Sequence, residues 1–371
     1  MKLRCAAADI PIDVISCILS FLPVKSVLRF KCVSKSWHSL ISDPHFKKLH
    51  LLHSHKSANL VLVFQDQDSL RDCDAPLFDD IMSGDATHIE LPFRRHLQYS
   101  IKGIIMCSCD GLLLMRNYNN LGPLTLWNPS TDECRILPTV ECDFSSTSAG
   151  LGYDSSTDDY KVLFRPEKKH CRPGEDVMIL SLKTNCWRKI NFFKYYCRLE
   201  NGINLKGSLN WAILKASVSK DNKVWLSAKI VSFSLANETT TEMEHPRNYP
   251  TYSVRLKLGV LQGCLCLTET AHPNTSITIW LMKEFGVTSS WTKLITTPHL
   301  PGGHGMDFPI PLPLNHMNKT VFLIHKYRGA AHFLIINDLE AEKDYRFVKI
   351  ANTESLRVRG LTFSRSLTSP N

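Results

Sequence analysis

The stretch "LTLWNPSTDECRIL" (residues 124–137) consists of an apolar segment, a polar turn and a second segment of similar length. Apolar runs on both sides of a Pro-Ser-Thr-Asp turn predict a β-hairpin. The same pattern returns downstream in residues 178–190, 231–243, 277–294 and 333–350. The residue before the turn is Trp127, Leu180, Phe233, Trp280 or Ile336. Because these positions lie about 50 residues apart, one structural unit is repeated along much of the chain.

A second repeated element, a glycine followed by apolar residues, precedes several of these hairpins. It occurs at Gly111, Gly207 and Gly263. Two hairpins in each period give four strands, which is typical of a β-propeller blade of kelch-like size. A blade cannot bury both of its faces alone, so blades stack around an axis. From about residue 58 onward the chain has room for about six blades at this period.

Residues 10–50 have a different, helical periodicity. An amphipathic stripe is formed by Val14, Ile15, Ile18, Leu19 and Leu22. Pro23 interrupts this stripe, and Ser34 is placed to cap a later helix. Asp43 followed by Pro44 is typical of a helix start, with an N-cap residue and proline in the first turn. The pattern predicts three or four short helices.

Together these patterns predict an α+β multidomain protein, a small helical domain followed by an all-β propeller. We expect the helical domain at residues 8–50, the propeller at 51–365 and a disordered tail at 366–371. The sequence contains no run of about 18 apolar residues, so it predicts no membrane-spanning helix. The thirteen cysteines include no CxxC pair, so reduced, buried thiols are expected, Cys107, Cys109, Cys264 and Cys266 among them.

The helical segment has more apolar surface than it can bury. Of residues 10–42, 18 are hydrophobic, and residues 1–50 contain eight lysines and arginines against three aspartates. A unit of about forty residues seldom maintains a core unaided. Pro23 and the interspersed acids argue against a membrane surface, and the absence of Asn and Gln from residues 1–50 argues against base recognition. Docking to an acidic protein is the remaining interpretation.

Residues 10–46, "IPIDVISCILSFLPVKSVLRFKCVSKSWHSLISDPHF", resemble an F-box. The matching positions are Pro11, Ile18, Leu19, Leu22, Pro23, Ser26, Arg29, Val33, Ser34, Lys35, Trp37, Leu40 and Ile41. The stretches "LWNPSTDECRILP" (126–138) and "GLGYDSSTDDYKVLF" (150–164) are similar to those of plant F-box proteins with an F-box-associated or kelch-like domain. That family includes the S-locus F-box proteins. The residues leave open whether the target belongs to self-incompatibility, defence or hormone response.

The resemblance implies the substrate-recognition subunit of a Skp–cullin–F-box (SCF) ubiquitin ligase, located in the cytoplasm, the nucleus or both. The F-box would bind a Skp-type adaptor, and through it a cullin and a RING protein, while propeller loops would bind a target protein. Such a subunit has no catalytic residue, cofactor or metal and binds neither nucleic acid nor membrane. The expected adaptor-binding residues are Pro11, Val14, Ile15, Ile18, Leu19, Leu22, Pro23, Val27, Arg29, Val33 and Trp37.

Other chemistry has little support in the sequence. Gly-x-Ser-x-Gly, Walker and His-Glu-x-x-His motifs do not occur. "DSSTDDY" (154–160) predicts a self-bonded turn rather than a metal loop. Trp225 and His304 are candidate target-binding residues, and candidate loops lie near 66–80, 116–123, 165–175, 216–224, 244–251 and 298–316. The alternative is a propeller enzyme, or a glycan or small-molecule binder, with a helical interaction arm.

Overall fold

In a computed structural model, residues 10–54 form four helices. The structure describes residues 10–54, 60–65, 70–74, 88–89, 94–96, 103–117, 123–140, 146–167, 177–190, 201–218, 224–247, 254–271, 277–297, 310–316, 319–324, 332–338, 345–350 and 361–371. The helices are α1 (Ile12–Ser20), α2 (Val24–Phe30), α3 (Lys35–Ser42) and α4 (Pro44–Ser54).

Local sequence explains where these helices begin. Pro11 precedes α1 and Pro23 precedes α2, both in an extended conformation. The Ser34 hydroxyl accepts a hydrogen bond from the Trp37 amide at 3.1 Å, which caps α3. At α4, Asp43 Oδ1 accepts from the amides of His45 and Phe46 at 2.8 and 3.2 Å. The predicted caps at Ser34 and Asp43 are therefore confirmed.

The remaining elements of the described residues are strands and one short 3₁₀ helix, Thr288–Ser290. The first twelve strands are β1 (Leu60–Gln65), β2 (Leu70–Asp74), β3 (His88–Ile89), β4 (Arg94–His96), β5 (Gly103–Cys109), β6 (Leu112–Asn117), β7 (Thr125–Asn128), β8 (Glu133–Ile136), β9 (Ser146–Asp154), β10 (Asp159–Glu167), β11 (Met178–Ser181) and β12 (Cys186–Lys189). The others are β13 (Ile203–Leu205), β14 (Ser208–Val218), β15 (Val224–Ser234), β16 (Thr240–Glu244), β17 (Val254–Leu261), β18 (Cys264–Ala271), β19 (Ile277–Met282), β20 (Trp291–Thr297), β21 (Ile310–His316), β22 (Lys319–Ile324), β23 (His332–Asp338), β24 (Tyr345–Ile350) and β25 (Leu361–Ser364).

The described strands form six sheets. Four of them are meanders of four consecutive strands, β5–β8, β9–β12, β13–β16 and β17–β20. The other two mix early and late strands, in the orders β25-β1-β2-β4 and β21-β22-β23-β24-β3. The first strands of neighbouring sheets contact one another in a closed ring, β5, β9, β13, β17, β21 and β25. The prediction of a helical domain followed by a β-propeller is confirmed.

The two sequence elements correspond to the two kinds of hairpin within a sheet. Each residue that precedes the repeated polar turn lies in the third strand of its sheet: Trp127 in β7, Leu180 in β11, Phe233 in β15, Trp280 in β19 and Ile336 in β23. The glycines Gly111, Gly207 and Gly263 lie in the turn between the first and second strands, with φ of 84°, 71° and 70°. Positive φ explains why glycine recurs there.

Close contact between two sheets requires glycine in "GLGYD". A Cβ atom at Gly150 would lie 2.8 Å from Leu209 Cδ1, and one at Gly152 would lie 2.5 Å from Leu235 Cδ1. Both leucines belong to a buried cluster in the next sheet, so neither has room to move away.

We therefore expect Gly152→Ala to lower the free energy of unfolding by about 1–3 kcal/mol, the usual effect of overpacking a core. Denaturant unfolding of both proteins measures the difference. Because the closest contact is with Leu235, adding Leu235→Ala should reduce the cost of alanine at 152, while the close approach to Asn204 Oδ1 at 3.0 Å remains. Equal effects of Gly152→Ala in the two backgrounds would contradict this explanation.

Two of the expected buried thiols sit in the core of the β5–β8 sheet. Cys107 and Cys109 belong to one buried cluster, and both are free. Burial raises the pKa of Cys107 to about 12. A thiol with so high a pKa stays protonated at neutral pH and behaves as a small apolar side chain. Cys266 is buried and free in the same way, whereas Cys264 is partly exposed.

The expectation of a disordered tail at residues 366–371 is wrong. Leu367 is buried among the helices, and the Asn128 side-chain amide donates to the main-chain oxygens of Ser366 and Thr368 at 3.1 and 2.7 Å. The composition of this segment, rich in serine, threonine and proline, is typical of disorder. A single leucine and main-chain hydrogen bonds outweigh that tendency here.

Candidate protein-docking site

The four helices pack around a small core of their own. Its buried members in the helices are Leu19, Val24, Val27, Ile41 and Phe46. Partly buried side chains surround it, namely Ile15, Leu22, Leu28, Phe30, Trp37 and Leu40. The Phe30 and Trp37 rings meet edge to face with centroids 5.6 Å apart. This core fixes the orientation of α1, α2 and α3 relative to one another.

Much apolar surface on the helices remains exposed. Nine large hydrophobic side chains are exposed among the described residues, and seven of them lie in the helical domain: Ile10, Ile12, Val14, Ile18, Phe21, Val33 and Leu52. Ile18 is 54% exposed and Phe21 66%. Val14 and Ile18 follow one another at helical spacing along α1, and Phe21, the residue that ends the helix, comes three positions after Ile18. A concentration of exposed apolar side chains on a surface marks a protein-interaction site. We call these seven residues the docking face.

Basic side chains accompany the docking face. Lys25 and Arg29 on α2 and Lys35 on α3 are exposed. Asp13 and Asp43 are the acidic residues of the described helical region. A positively charged surface with apolar side chains favours an acidic protein partner, because opposite charge speeds association and apolar burial supplies affinity.

The structure divides the predicted adaptor-binding residues into three groups. Six are exposed: Pro11, Val14, Ile18, Pro23, Arg29 and Val33. Ile15, Leu22 and Trp37 are partly buried. Leu19 and Val27 are 2% and 0% exposed and belong to the helical core. These two side chains do not reach the surface and support the docking face from inside, whereas adaptor binding by the other nine residues stays a prediction.

Four docking-face residues were not selected from the sequence, Ile10, Ile12, Phe21 and Leu52. Phe21 could have been found, because it follows Val14 and Ile18 at the i+7 and i+3 positions of α1. Ile10 and Ile12 flank Pro11 at the start of the helix, where helical periodicity does not indicate whether a side chain faces the core or the solvent. Leu52 lies in α4, whose apolar residues show no clear stripe.

Two histidines of α4 hold the end of α1 in place. The Nε2–H of His50 donates to the Leu22 carbonyl at 2.8 Å, and His50 is fully buried. The Ser20 hydroxyl and His53 Nδ1 are 2.8 Å apart, and the Phe21 ring stacks on His53 with centroids 3.9 Å apart. The position of Phe21 on the docking face therefore depends on α4.

Stability of the helical domain should fall in mild acid. Burial lowers the pKa of His50 below its ordinary 6.5, the charge of His53 acts in the same direction, and the hydrogen bond to Leu22 opposes them. Because the folded pKa is the lower one, protonation favours the unfolded chain. The stabilisation is complete above pH 6.5 and is lost as pH falls below it, by at most about 1.4 kcal/mol per pH unit.

Thermal unfolding of the helices by circular dichroism at pH 7.5 and 5.5 measures this loss. His50→Gln keeps an N–H donor for Leu22 and cannot titrate, so its unfolding temperature should change less between the two pH values. An identical pH dependence in the wild-type protein and His50→Gln would assign the effect to other groups.

The helices lie at one end of the propeller. Lys48 Nζ of α4 is 2.7 Å from Asp158 Oδ1, in the turn between β9 and β10. Ser366 Oγ donates to the carbonyl of Asp110, in the turn between β5 and β6. In an antiparallel four-stranded blade, the first-to-second and third-to-fourth turns share one end. The other connections emerge at the opposite end.

The candidate target-binding loops lie largely outside the described residues, but the strands that lead into five of them end at that opposite end. The strands before 116–123, 165–175 and 216–224 are the second of their sheets, and the strands before 244–251 and 298–316 are the fourth. The range 298–316 also includes β21 itself. The candidate at 66–80 includes β2 itself. Trp225 lies in β15 opposite Ser217 of β14. The side chain of Trp225, and His304 altogether, lie outside the described residues.

A polar cluster marks this end between the β13–β16 and β17–β20 sheets. The Arg247 guanidinium lies over the Trp280 ring, 5.3 Å from its centroid, and 3.7 Å from Glu269 Oε2. Trp280 Nε1–H donates to the same carboxylate at 3.3 Å. His245 is buried, its Nδ1 accepts from the Arg247 amide at 3.0 Å, and burial lowers the pKa of its imidazole.

The acidic turn "DSSTDDY" (154–160) bonds to itself, as expected. Asp154 Oδ1 accepts from the amide of Ser156 at 2.9 Å and from its hydroxyl at 2.6 Å, and Asp154 Oδ2 accepts from the Thr157 hydroxyl at 2.8 Å. Among the residues described, no group of three or more His, Cys, Asp or Glu side chains is placed to hold a metal ion. None of the described helices is long and apolar enough to cross a membrane.

Comparison with known proteins gives the same two-part organisation. A model of the F-box domain matches residues 8–49, and a model of the F-box associated beta propeller domain matches residues 80–368. F-box protein CPR1 of Arabidopsis thaliana is 28% identical over 345 residues, covering 85% of this chain and 79% of that protein. F-box/kelch-repeat protein At3g23880 of the same plant is 27% identical over 369 residues, covering 91% and 93%.

Among solved structures, Aleuria aurantia lectin superposes with a TM-score of 0.41 at 10% sequence identity, covering 66% of this chain and 76% of that chain. This similarity is too weak to bear on function.

Proposed function

Since this chain belongs to the F-box proteins with an F-box-associated β-propeller domain, we propose that it is the substrate-recognition subunit of an SCF-type ubiquitin ligase. Its F-box would bind a Skp-type adaptor and, through that adaptor, a cullin and a RING protein. The propeller would hold a target protein for ubiquitin transfer. In this role the chain contributes binding surfaces and no catalytic group.

The docking face is the observation that carries the proposal. Seven exposed apolar side chains lie on a helical domain of about forty residues, which also exposes Lys25, Arg29 and Lys35. Full burial of one such side chain is worth about 1.5–3 kcal/mol. A few of them at the centre of an interface are enough for a stable complex with an acidic adaptor.

For the target we propose the propeller end opposite the helices. Loops at one end of a propeller are the usual binding region, and the strands that lead into the candidate loops at 116–123, 165–175, 216–224, 244–251 and 298–316 all end there. The cluster around Arg247 lies there as well. Placing adaptor and target at opposite ends leaves both surfaces accessible at once.

A reconstituted ubiquitination reaction tests the proposal. Proteins captured from cells by proximity labelling would be incubated with this chain, a Skp-type adaptor, a cullin, a RING protein, E1, E2 and ubiquitin. We expect a captured protein to be ubiquitinated only when this chain is present. If the chain binds the adaptor but no labelled protein is modified, the claim that the propeller presents a target for ubiquitination is refuted.

The labelling bait should be the double variant Val14→Asp/Ile18→Asp rather than a truncated chain. Both side chains are exposed, so these changes block the adaptor and spare the target. Removing residues 1–50 instead would uncover Leu367, which is buried against the helices. The substituted bait therefore retains targets without exposing a new apolar surface.

A further inference from the structure

One segment links ring closure in the propeller to the core of the helical domain. Strand β25 pairs with β1, with Leu60 opposite Ser364 and Val63 opposite Leu361, and this pairing joins the last strand of the chain to the first. The chain continues directly from β25 into residues 365–371, which we call the bridging segment.

One side of the bridging segment completes the helical core. Leu367 is 2% exposed and belongs to the same buried cluster as Leu19, Val27 and Phe46. The buried core of four helices from residues 10–54 thus includes a side chain more than 300 positions away in sequence. A domain of about forty residues has little core to spare, so each buried leucine is a large share of it.

The other side of the bridging segment is bonded to the propeller. Asn128, fully buried at the end of β7, donates through its amide to the carbonyls of Ser366 and Thr368. The Asn128 Oδ1 atom accepts from the Ser130 amide at 2.8 Å. This bond orients the side chain so that its amide nitrogen donates to the two carbonyls. Asn128 is the asparagine of "LWNPST", so this stretch has a role beyond its own turn.

Further hydrogen bonds extend the attachment along the segment. Ser366 Oγ donates to the Asp110 carbonyl, and Ser369 Oγ donates to Glu133. Arg135 donates to the Pro370 carbonyl at 3.2 Å and, through its other terminal nitrogen, to the Leu182 carbonyl at 2.9 Å. By contrast, Lys48 and Asp158 are about half exposed, and such an ion pair contributes little.

We propose that the bridging segment makes the docking face and the propeller one coupled unit. Leu367 is held in the helical core only while Asn128 and β25 hold its flanks to the propeller. Anything that stabilises the helices, an adaptor on the docking face above all, then also stabilises the closed ring, because the two equilibria share one segment. This coupling rests on the proposed function only where the adaptor is concerned.

The test uses the full-length chain and two substitutions. One disrupts the contact of the bridging segment with the helical core, and the other disrupts its hydrogen bonds to the propeller. Leu367→Asp places a carboxylate in the helical core. Asn128→Asp keeps the shape of the side chain, removes both amide donors and leaves the helices untouched. Ile136→Asp, an exposed apolar residue in β8 of the same sheet, is the matched control.

Amide hydrogen exchange is the readout that needs no adaptor. We expect exchange in α1–α4 to accelerate at least tenfold in Leu367→Asp and several-fold in Asn128→Asp, with no change in Ile136→Asp. Unchanged exchange in α1–α4 in Asn128→Asp would overturn the proposal, even if Leu367→Asp is too unstable to study.

Adaptor binding provides the second readout. A Skp-type adaptor should bind Asn128→Asp at least threefold more weakly than the wild-type chain, and its binding to the wild-type chain should slow exchange in β1 and β25. Equal affinities with no protection of β1 and β25 would refute the coupling. A wild-type chain that binds no adaptor at all would instead refute the proposed function and leave the exchange result in α1–α4 to decide.

Discussion

Replacing Ile18 with aspartate is expected to abolish capture of a Skp-type adaptor while the chain stays folded. Ile18 is 54% exposed, so a carboxylate there is solvated in the free protein. In the complex the same carboxylate would be buried without a partner and the apolar contact would be lost. Loss of the contact alone is worth about 1.5–3 kcal/mol, and the buried charge adds to it, so affinity should fall more than tenfold.

Binding measured by calorimetry or pull-down, with two controls, checks this expectation. Ile136→Asp makes the same change at a 67% exposed site on the propeller and should leave adaptor affinity unchanged. Leu19→Asp introduces a charge in the helical core and should unfold the helices rather than only block docking. Wild-type affinity in Ile18→Asp would show that α1 does not contact the adaptor.

Replacing Lys161 with methionine is expected to destabilise the propeller by about 3–5 kcal/mol, the usual result of breaking a buried ion pair. Lys161 Nζ is 2.8 Å from Asp154 Oδ2 and donates to the Leu235 carbonyl at 2.8 Å. The side chains of Lys161 and Asp154 are 9% and 0% exposed. Methionine fills a similar volume, so the loss measures the unpaired Asp154 charge together with the lost hydrogen bonds to the Leu235 carbonyl and to Glu238.

The pKa of Asp154 gives this expectation a pH signature. Burial alone would raise it, but hydrogen bonds from Lys161, Ser156 and Thr157 hold it well below the ordinary 3.8. A lowered folded pKa stabilises the protein above pH 3.8, and the contribution is lost as pH falls below that value. In Lys161→Met the contribution of Asp154 to this pH dependence should be smaller, because Lys161 no longer lowers its pKa.

Denaturant unfolding at neutral pH measures the loss, and Lys229→Met is the control, since its partner Glu244 is 62% exposed. The double variant Asp154→Asn/Lys161→Met should recover part of the stability, because the uncharged amide at 154 needs no cation and its oxygen still accepts from Ser156. A double variant as unstable as Lys161→Met would mean that packing, and not charge, explains the effect.

The fold was predictable from the sequence because its signals are local and repeated. The period of about 50 residues and the glycine turns at Gly111, Gly207 and Gly263 placed the hairpins within their sheets. Strand pairing between β25 and β1 was not predictable, since it joins segments nearly 300 residues apart that share no local signal.

The docking site was predictable as a region but not residue by residue. Periodicity finds the apolar residues of α1, yet it does not say which side faces the core. Leu19 and Val27 point inward, whereas Phe21 is exposed. The direction depends on packing against α4 and on Leu367, which lies more than 300 positions beyond the recognised motif. The same distant contact explains why residues 366–371 were wrongly expected to be disordered.

Hydrogen exchange of the full-length chain with and without a Skp-type adaptor tests the central claim most directly. We expect bound adaptor to slow exchange most in α1, around Val14 and Ile18, and in α2, and to leave the propeller strands other than β1 and β25 unchanged. Protection confined to the propeller, with none in α1 or α2, would contradict the assignment of the docking face.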